Sequence, residues 1–239
     1  MKHLKGIERL AKRLVPRSWR KNFRASRYEV LMDRLAPVDL IVHVGAHWAE
    51  DADFYEARGA STILWIEADP DTFAELNTRL QARTGTTRHL SECALVSATG
   101  GQAIEFHRFG GDGASSSVHR ASQTLKARFP GVTENGEVLE LATASLPALL
   151  QKHDIVPETF ERAMLVVDVQ GHEFEVLKGL AEALEQFALC KCEVSRLPFY
   201  VGGATFEQID EHMQAHGFTL ASHRRWRVPR HGDVLYLRR

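Results

Sequence analysis

An acidic residue at a fixed distance from a glycine is the first feature of this chain that can do chemistry. Gly45 follows the short apolar run Leu40–Val44, and Glu67 closes the next apolar run, 22 residues after Gly45. A carboxylate at that spacing from a tight glycine turn is suited to accept hydrogen bonds from both hydroxyls of a ribose. The pair therefore predicts a site for a ribose-bearing cofactor.

The residues after Gly45 indicate which cofactor suits the site. A dinucleotide site needs G-x-G-x-x-G so that a pyrophosphate can approach the helix N-terminus, but this loop reads Gly45-Ala-His-Trp-Ala-Glu50. Trp48 and Glu50 oppose a phosphate, whereas the cationic sulfonium of S-adenosylmethionine gains from a nearby acid. The loop favours S-adenosylmethionine, and it is also compatible with a strand-turn-helix unit that binds no ligand.

Several segments together resemble one known family. They are residues 165–179 (LVVDVQGHEFEVLKG), Val44-Gly-Ala-His47, Ile66-Glu-Ala-Asp-Pro70, Asp112-Gly-Ala-Ser-Ser-Ser117, Cys192-Glu-Val-Ser195 and Gly232-Asp-Val-Leu-Tyr236. From about Val38 to the C-terminus the chain resembles the FkbM-type S-adenosylmethionine-dependent methyltransferases. The resemblance implies O-methylation of a hydroxyl on a sugar, a glycolipid or a secondary metabolite.

In methyl transfer by direct displacement, the acceptor atom lies about 3 Å from the methyl carbon, in line with the methyl–sulfur bond that breaks. A second group must take the proton that the acceptor atom loses. Asp168 ends the strand predicted over residues 164–169, and we predict that it orients the acceptor hydroxyl and takes its proton. Glu193 is the second carboxylate expected at the cleft. His172 is an alternative base because its reference pKa lies near neutrality. A structural role also stays open for each, such as capping a turn or pairing with an arginine.

The predicted binding residues fall into two groups. Contacts to the cofactor are expected from the first loop, the ends of the second and third strands, and Asp168: Gly45, Ala46, His47, Glu67, Ala68, Cys93, Ala94 and Asp168. Contacts to the acceptor are expected from a serine-rich lid, from residues near Asp168, and from a basic segment between the last two strands: Asp112, Ser115, Ser116, Gln170, Tyr200, Arg227 and Arg230. The arginines suit an anionic acceptor, or they form a solvated hairpin that balances an acidic body.

Two rival functions remain open. A non-catalytic module that kept the cofactor fold is motivated by His43, which stands where such families usually have an acid, and by His47 in place of a loop glycine. A nucleic-acid methyltransferase is suggested by the basic N-terminus. The strand before Asp168 continues as Asp-Val-Gln-Gly, however, and not as the Asp-Pro-Pro-aromatic clamp for a flipped base, so no nucleic acid is expected as a partner.

The elements that position these residues alternate between buried strands and amphipathic helices. Asp69 with Pro70 marks one helix start, Thr205 to Gln208 forms a capping box, and Gly179 is expected to end the helix after Asp168. The order predicts an α/β fold of the Rossmann-like, doubly wound type: a mostly parallel seven-stranded sheet with an antiparallel last strand, as in class I methyltransferases.

Length and composition fit one catalytic domain, residues 37–239, behind a basic helical extension, residues 1–36. Of 239 residues, 44% are apolar and 26% are charged, enough for a full core. The first 36 residues hold eleven Lys and Arg against three Asp and Glu. Their first 15 residues are predicted to form an amphipathic helix that either contacts the inner face of a membrane peripherally or packs on protein.

The cysteines and one pair of histidines do not predict a catalytic or metal site. Cys190 and Cys192 lie two apart on a predicted strand, which suits buried reduced thiols and a cytoplasmic protein, and no apolar run is long enough to span a membrane. His212 and His216 share one helix face, but no third ligand follows them, so no metal is expected. The oligomeric state stays open.

Overall fold

The structure, a computed structural model, describes residues 27–221 and 231–239. The chain divides into two compact units, Met1–Ala36 and Pro37–Arg239. The described part of the first unit includes helix α1 (Arg27–Leu35). The amphipathic helix predicted at the N-terminus lies outside the described residues. A membrane-spanning helix is absent from the described part of the chain, where every helix falls short in length or in apolar character.

The second unit alternates strands and helices. Its described strands are β1 (Leu40–Val44), β2 (Thr62–Glu67), β3 (Arg88–Cys93), β4 (Leu95–Val96), β5 (Ala103–Phe109), β6 (Glu134–Ala144), β7 (Ala163–Val167), β8 (Leu189–Ser195), β9 (Phe218–Leu220) and β10 (His231–Arg238). Its described α-helices are α2 (Ala52–Glu56), α3 (Pro70–Gln81), α4 (Gln123–Arg128), α5 (Leu146–Lys152), α6 (Glu173–Leu180) and α7 (Phe206–Ala215).

The larger sheet has seven strands in the order β3-β2-β1-β7-β8-β10-β9. Its pairs are parallel except those made by β10, which runs antiparallel to both β8 and β9. The chain therefore builds one half of the sheet outwards from β1 and the other half outwards from β7. This confirms the predicted doubly wound sheet with an antiparallel last strand.

The central strands carry the core. Every residue of β1, β2 and β7 is buried, as expected of parallel strands covered on both faces. Cys190 and Cys192 on β8 are buried free thiols, as predicted. Because the middle of the sheet is packed on both sides, polar side chains can reach solvent chiefly where the strands end.

A second, three-stranded sheet was not predicted. In it β6 pairs in parallel with β4 and antiparallel with β5. Arg108 on β5 donates from Nε and Nη2 to the two carboxylate oxygens of Asp69, over 2.6 and 2.8 Å. A two-pronged guanidinium–carboxylate pair of this kind fixes geometry as well as charge. The small sheet is thereby tied to the loop that follows β2.

Two predicted helix starts are confirmed, and one predicted helix end is wrong. Asp69 caps α3 and Thr205 forms the capping box of α7 with Gln208. Helix α6 instead continues through Gly179 to Leu180. A Cβ at Gly179 would lie 2.7 Å from the backbone oxygen of Ser97. The glycine therefore permits close packing of the helix on the segment after β4, and it does not terminate the helix.

Candidate active site

The predicted site residues meet at the carboxyl edge of the large sheet. Gly45, Glu67 and Asp168 lie at the ends of β1, β2 and β7, and Glu193 lies near the end of β8. Strands β1 and β7 are neighbours from which the chain continues in opposite directions. The crevice between them is the topological switch point, which is where open α/β sheets bind ligands.

A cavity of about 200 Å³ opens at this switch point. We call it the first cavity. Ala46 is buried in the loop after β1 but does not line the cavity, and exposed Cys93, whose Sγ lies 4.0 Å from the backbone oxygen of Ala68, does not line it either. The predicted residues that do line it are Gly45, His47, Glu67, Ala68, Ala94, Ser116, Asp168, Gln170 and His172.

Glu67 presents a buried carboxylate to this cavity. Its Oε2 accepts a hydrogen bond from the backbone N–H of His47 at 2.9 Å, and its Oε1 accepts one from that of Asp69 at 3.0 Å. Burial raises the pKa of Glu67, and these backbone bonds oppose the rise. Each oxygen retains a lone pair, so the carboxylate can still accept hydrogen bonds from a ligand.

Gly45 is required by the close approach of two strand ends. Its φ is +80°, and a Cβ built on it would lie 1.7 Å from the backbone oxygen of Asp168. No side chain fits in that space. The absence of a Cβ therefore allows the loop after β1 to pack directly against the residue that follows β7.

His47 joins the loop after β1 to the serine-rich segment, residues 110–117, which we call the roof loop. Its Nδ1 lies 2.7 Å from Glu50 Oε1, and its Nε2 lies 3.0 Å from the backbone oxygen of Asp112. Both partners are acceptors, so both ring nitrogens must carry hydrogens, as in an imidazolium. Burial lowers the pKa of His47, but the bonds to Asp112 and Glu50 outweigh it and raise the pKa.

The roof loop also contacts the opposite side of the crevice. Ser117 Oγ donates to the backbone oxygen of Gln170 at 2.7 Å, and Tyr200 Oη lies 3.2 Å from the backbone oxygen of Ser115. Ser116 Oγ accepts from the backbone N–H of Phe109. Because the hydroxyls of Ser116 and Ser117 bond to the protein itself, we infer that the roof loop covers the first cavity.

One side of the first cavity is apolar. It is formed by residues of the small sheet and its connections: Leu95, Val96, Phe106 and Val118, next to the small Ala94. An apolar wall with one small residue suits the faces of a purine ring, which gains from removal of apolar surface from water.

Asp168 and Glu193 share one hydrogen-bond donor. Gln170 Nε2 donates to Asp168 Oδ1 at 2.7 Å and to Glu193 Oε2 at 3.0 Å, while Gln170 Oε1 accepts from the Tyr200 hydroxyl at 2.8 Å. Burial and the neighbouring Glu193 charge raise the pKa of Asp168 well above its usual value. A raised pKa makes a carboxylate a better proton acceptor near neutrality.

A second cavity lies beside two residues that bond to the Gln170 side chain. It is lined by Glu193 and Tyr200, which the sequence predicted, and also by Glu173 and His231. His231 Nε2 lies 3.3 Å from Glu193 Oε1, and although burial lowers the pKa of His231, this contact raises it overall. His231 was missed because its one sequence signal is that it precedes the Gly-Asp-Val-Leu-Tyr segment.

Glu173 holds the backbone around Gln170. It is 3% exposed, and its carboxylate accepts hydrogen bonds from the backbone N–H groups of Val169 and Gly171 at 3.0 to 3.1 Å. Burial, followed by the Glu193 charge, raises the pKa of Glu173 to about 7. This anchoring role was not predicted from the sequence, because it depends on a tight turn between β7 and α6.

The third predicted base, His172, bonds to Ser97 and not to the Gln170 amide that joins Asp168 and Glu193. Its Nε2 lies 3.0 Å from Ser97 Oγ, and burial lowers the pKa of His172 to about 4. The ring is therefore uncharged at neutral pH and weakly basic. His43, on β1, lies outside the lining of both cavities, with its Nδ1 3.3 Å from the Tyr55 hydroxyl. Arg227 and Arg230 lie outside the described residues.

The three carboxylates of this region lie close enough to be compared with a metal site. One oxygen each of Asp168, Glu173 and Glu193 lies within 4.8 Å of the others. Glu173 is committed to backbone N–H groups, however, and the other two share the Gln170 amide. We assign no metal to them.

The residues around the first cavity fit S-adenosylmethionine. Glu67 offers acceptors to ribose hydroxyls, the apolar wall suits adenine, and two carboxylates, Glu67 and Asp168, suit a sulfonium and oppose a phosphate. His172 Nδ1 is buried without a hydrogen-bond partner among the described residues. A polar ligand atom in this cavity would provide one.

Known proteins resemble this chain in sequence and in fold. Residues 39–220 match the model of the FkbM methyltransferase domain. Solved structures with a similar fold include TrmK of M. capricolum in complex with S-adenosylhomocysteine (5% identity, TM-score 0.49, 89% of this chain and 68% of that chain). Another is the magnesium protoporphyrin IX methyltransferase of Synechocystis PCC 6803 with bound S-adenosylmethionine (9% identity, TM-score 0.47, 89% and 75%). No curated protein sequence matches the chain. Because the matched residues cover most of its length, this chain belongs to the FkbM family of S-adenosylmethionine-dependent methyltransferases.

Proposed function

We propose that this methyltransferase methylates a hydroxyl oxygen on a sugar, a glycolipid or a related secondary metabolite. The observation that carries the proposal is the carboxylate pair, Asp168 and Glu193, which lies between the first and second cavities and shares the Gln170 amide. A pair of carboxylates offers acceptors to a hydroxyl and a place for its proton.

The first cavity holds the cofactor in this proposal. Glu67 accepts hydrogen bonds from the ribose, the apolar wall contacts the adenine, and the loop from Gly45 to His47 with Ala68 and Ala94 completes the enclosure. S-adenosylmethionine supplies an electrophilic methyl group when it is bound. The chain itself supplies the position of the acceptor and the exclusion of water, which account for most of the rate in a direct displacement.

Asp168 orients the acceptor hydroxyl and accepts its proton, because it lines the first cavity and its pKa is raised by burial. Glu193 assists from the second cavity, where it can bind the same hydroxyl or a neighbouring one. His172 is the weaker candidate for the base, since its pKa of about 4 leaves little driving force for proton transfer at neutral pH.

The acceptor enters through the second cavity. Tyr200 contributes an aromatic wall, and the basic segment with Arg227 and Arg230 would add affinity for an anionic group on the acceptor. The first 15 residues provide a peripheral contact to a membrane surface if the acceptor is a lipid-linked glycan. No nucleic acid is proposed as a partner.

Asp168→Asn tests this proposal. We expect single-turnover methyl transfer from radiolabelled cofactor to a panel of hydroxylated acceptors to slow by about 100-fold or more, because a general base is lost. Calorimetric affinity for S-adenosylhomocysteine, which lacks the sulfonium charge, should change by less than about threefold, because the proposed role of Asp168 is expressed in the transition state.

Glu193→Gln and Asp154→Asn complete the experiment. Glu193→Gln should slow transfer less than Asp168→Asn, and Asp154→Asn, at an exposed position after α5, should leave transfer unchanged. Equal rates for wild type and Asp168→Asn would assign the proton to another group. A wild-type protein that binds the cofactor and methylates no hydroxyl acceptor would contradict O-methylation and favour the non-catalytic module.

A further inference from the structure

Gln170 adopts a backbone conformation that its surroundings impose. Its φ is 53°, which is unusual for a residue with a Cβ, and Gly171 follows with φ 102°. Glu173 fixes the N–H groups on either side of Gln170, and Ser117 Oγ donates to the Gln170 carbonyl. A left-handed, non-glycine residue that is held from several sides is a feature of functional sites.

The imposed backbone aims the Gln170 amide at both carboxylates. The two hydrogens of Nε2 serve Asp168 and Glu193, and Oε1 serves Tyr200, so three of the four hydrogen-bond positions of the amide are used. The partners lie in different places: Asp168 lines the first cavity, whereas Glu193 and Tyr200 line the second. Gln170 itself lines the first cavity and not the second. The amide therefore forms part of the wall of the first cavity and links that wall to groups that line the second.

An acceptor hydroxyl that gives its proton to this carboxylate pair needs the same acceptor positions that the amide occupies. We propose that the Gln170 amide is a displaceable bridge, which closes the wall and pairs Asp168 with Glu193 until an acceptor hydroxyl replaces it between them. This inference rests on the proposed O-methylation for the identity of the incoming group. A hydroxyl has one hydrogen where the amide has two, and one oxygen that can accept. It therefore satisfies both carboxylates when one of them is protonated and donates back to the hydroxyl oxygen.

The bridge has a consequence in the protein without any ligand. With the amide present, the two carboxylates share a donor; without it, two half-buried carboxylates face each other. The charged groups around them are Glu173 on α6, Lys191 on β8, and His231 and Asp233 on β10. Repulsion between the unbridged carboxylates grows as pH rises and Asp168 ionises, and protonation of Asp168 relieves it at low pH.

The first measurement is therefore the unfolding midpoint of Gln170→Ala against pH, with no cofactor added. Alanine also carries a Cβ, so the backbone strain is unchanged. We expect the loss relative to wild type to be larger at pH 8 than at pH 5 by about 4 °C or more. Gln170→Asn, whose shorter amide cannot reach both carboxylates, serves if the alanine variant does not fold. A loss of equal size at both pH values indicates packing alone and overturns the bridge.

Two variants serve as controls for the pH dependence. Tyr200→Phe removes the hydroxyl that orients the amide but keeps both donors, so its loss should be independent of pH. Gln151→Ala makes the same substitution at an exposed position of α5 and should show no loss. A pH-dependent loss in either control would overturn the assignment to the carboxylate pair.

The second measurement tests the wall. Without the Gln170 side chain, water should reach the methyl carbon of bound S-adenosylmethionine. A bond between the water oxygen and the methyl carbon would then form as the sulfur–carbon bond breaks, giving methanol and S-adenosylhomocysteine. The proton lost by the water would pass to Asp168 or Glu193. At saturating cofactor, we expect acceptor-free formation of S-adenosylhomocysteine by Gln170→Ala to rise about tenfold or more over wild type. An unchanged rate at saturating cofactor shows that the amide does not exclude water and overturns this part of the proposal. Because no acceptor is present, this result is independent of whether a hydroxyl acceptor is ever methylated.

Discussion

Replacement of Glu67 by glutamine tests the ribose assignment while keeping the side chain in place. Alanine would leave the backbone N–H groups of His47 and Asp69 without their acceptor, so a loss of cofactor binding would be confounded by loss of the two loops. Glutamine keeps the volume and one acceptor oxygen. It loses the charge and leaves one buried donor unsatisfied, which costs about 1 to 3 kcal/mol, or about 2 to 12 °C in the unfolding midpoint.

The expected loss of affinity follows from the same geometry. Hydrogen bonds to a charged acceptor contribute about 1.5 to 3 kcal/mol each, and the variant can no longer offer acceptors to both ribose hydroxyls. Binding of S-adenosylmethionine should weaken by about 10- to 150-fold. S-adenosylhomocysteine has the same ribose and should lose the same factor. Since burial raises the pKa of Glu67, wild-type affinity should also fall as pH drops through that pKa, whereas the variant should show no such fall.

Isothermal titration calorimetry with both ligands, beside a thermal melt, measures these effects. Glu140→Gln, at an exposed position of β6, is the matched control and should bind both ligands as wild type does. A dissociation constant for Glu67→Gln within about threefold of wild type, in a variant that is folded at the assay temperature, would refute the assignment of Glu67 to the ribose.

Three further perturbations probe the surroundings of the site. The folded-state pKa of Glu173 is raised from 4.5 to about 7, so stability that is present below pH 4.5 should be lost as pH rises to 7. Urea titrations should show that the free energy of unfolding of wild type falls by on the order of 3 kcal/mol relative to that of Glu173→Gln over this range. Parallel plots of unfolding free energy against pH for the two proteins would contradict this. Gly45→Ala should reduce soluble yield or lower the unfolding midpoint by about 10 °C or more, because the new Cβ would overlap the Asp168 carbonyl. A shift of that size is expected of a clash that costs several kcal/mol. Gly131 has open space around it, so Gly131→Ala should be neutral. His47→Ala should speed amide hydrogen exchange in the roof loop with little effect on global stability, and unchanged exchange would show that other contacts hold the loop.

Local sequence patterns predicted the site residues that directly follow or end a buried strand. Gly45, Glu67 and Asp168 each follow a short buried strand, and parallel strands necessarily bring their carboxyl ends to one edge. The bridge at Gln170 could not be predicted in the same way, because it depends on a left-handed backbone imposed by Glu173.

The small sheet and the second cavity escaped prediction for a related reason. Strand β4 has two residues, too few for any periodicity, and its partner β6 follows it only after a long excursion through β5 and the roof loop. His231 meets Glu193 because β10 runs antiparallel to β8, and their register pairs His231 with Ser195 and Asp233 with Glu193. Tertiary packing fixes the register of two such strands, so the positions of His231 and Glu193 in the sequence do not predict their contact.

The roof loop bonds to His47 on one side and to Gln170 and Tyr200 on the other. We expect that it must release both sets of contacts before either ligand can leave. The binding free energies of the two ligands are then linked, and the linkage is reciprocal: the factor by which an acceptor tightens cofactor binding equals the factor by which the cofactor tightens acceptor binding. The methylated product and S-adenosylhomocysteine would share the same linkage. We therefore expect release of the products, and not methyl transfer, to limit turnover.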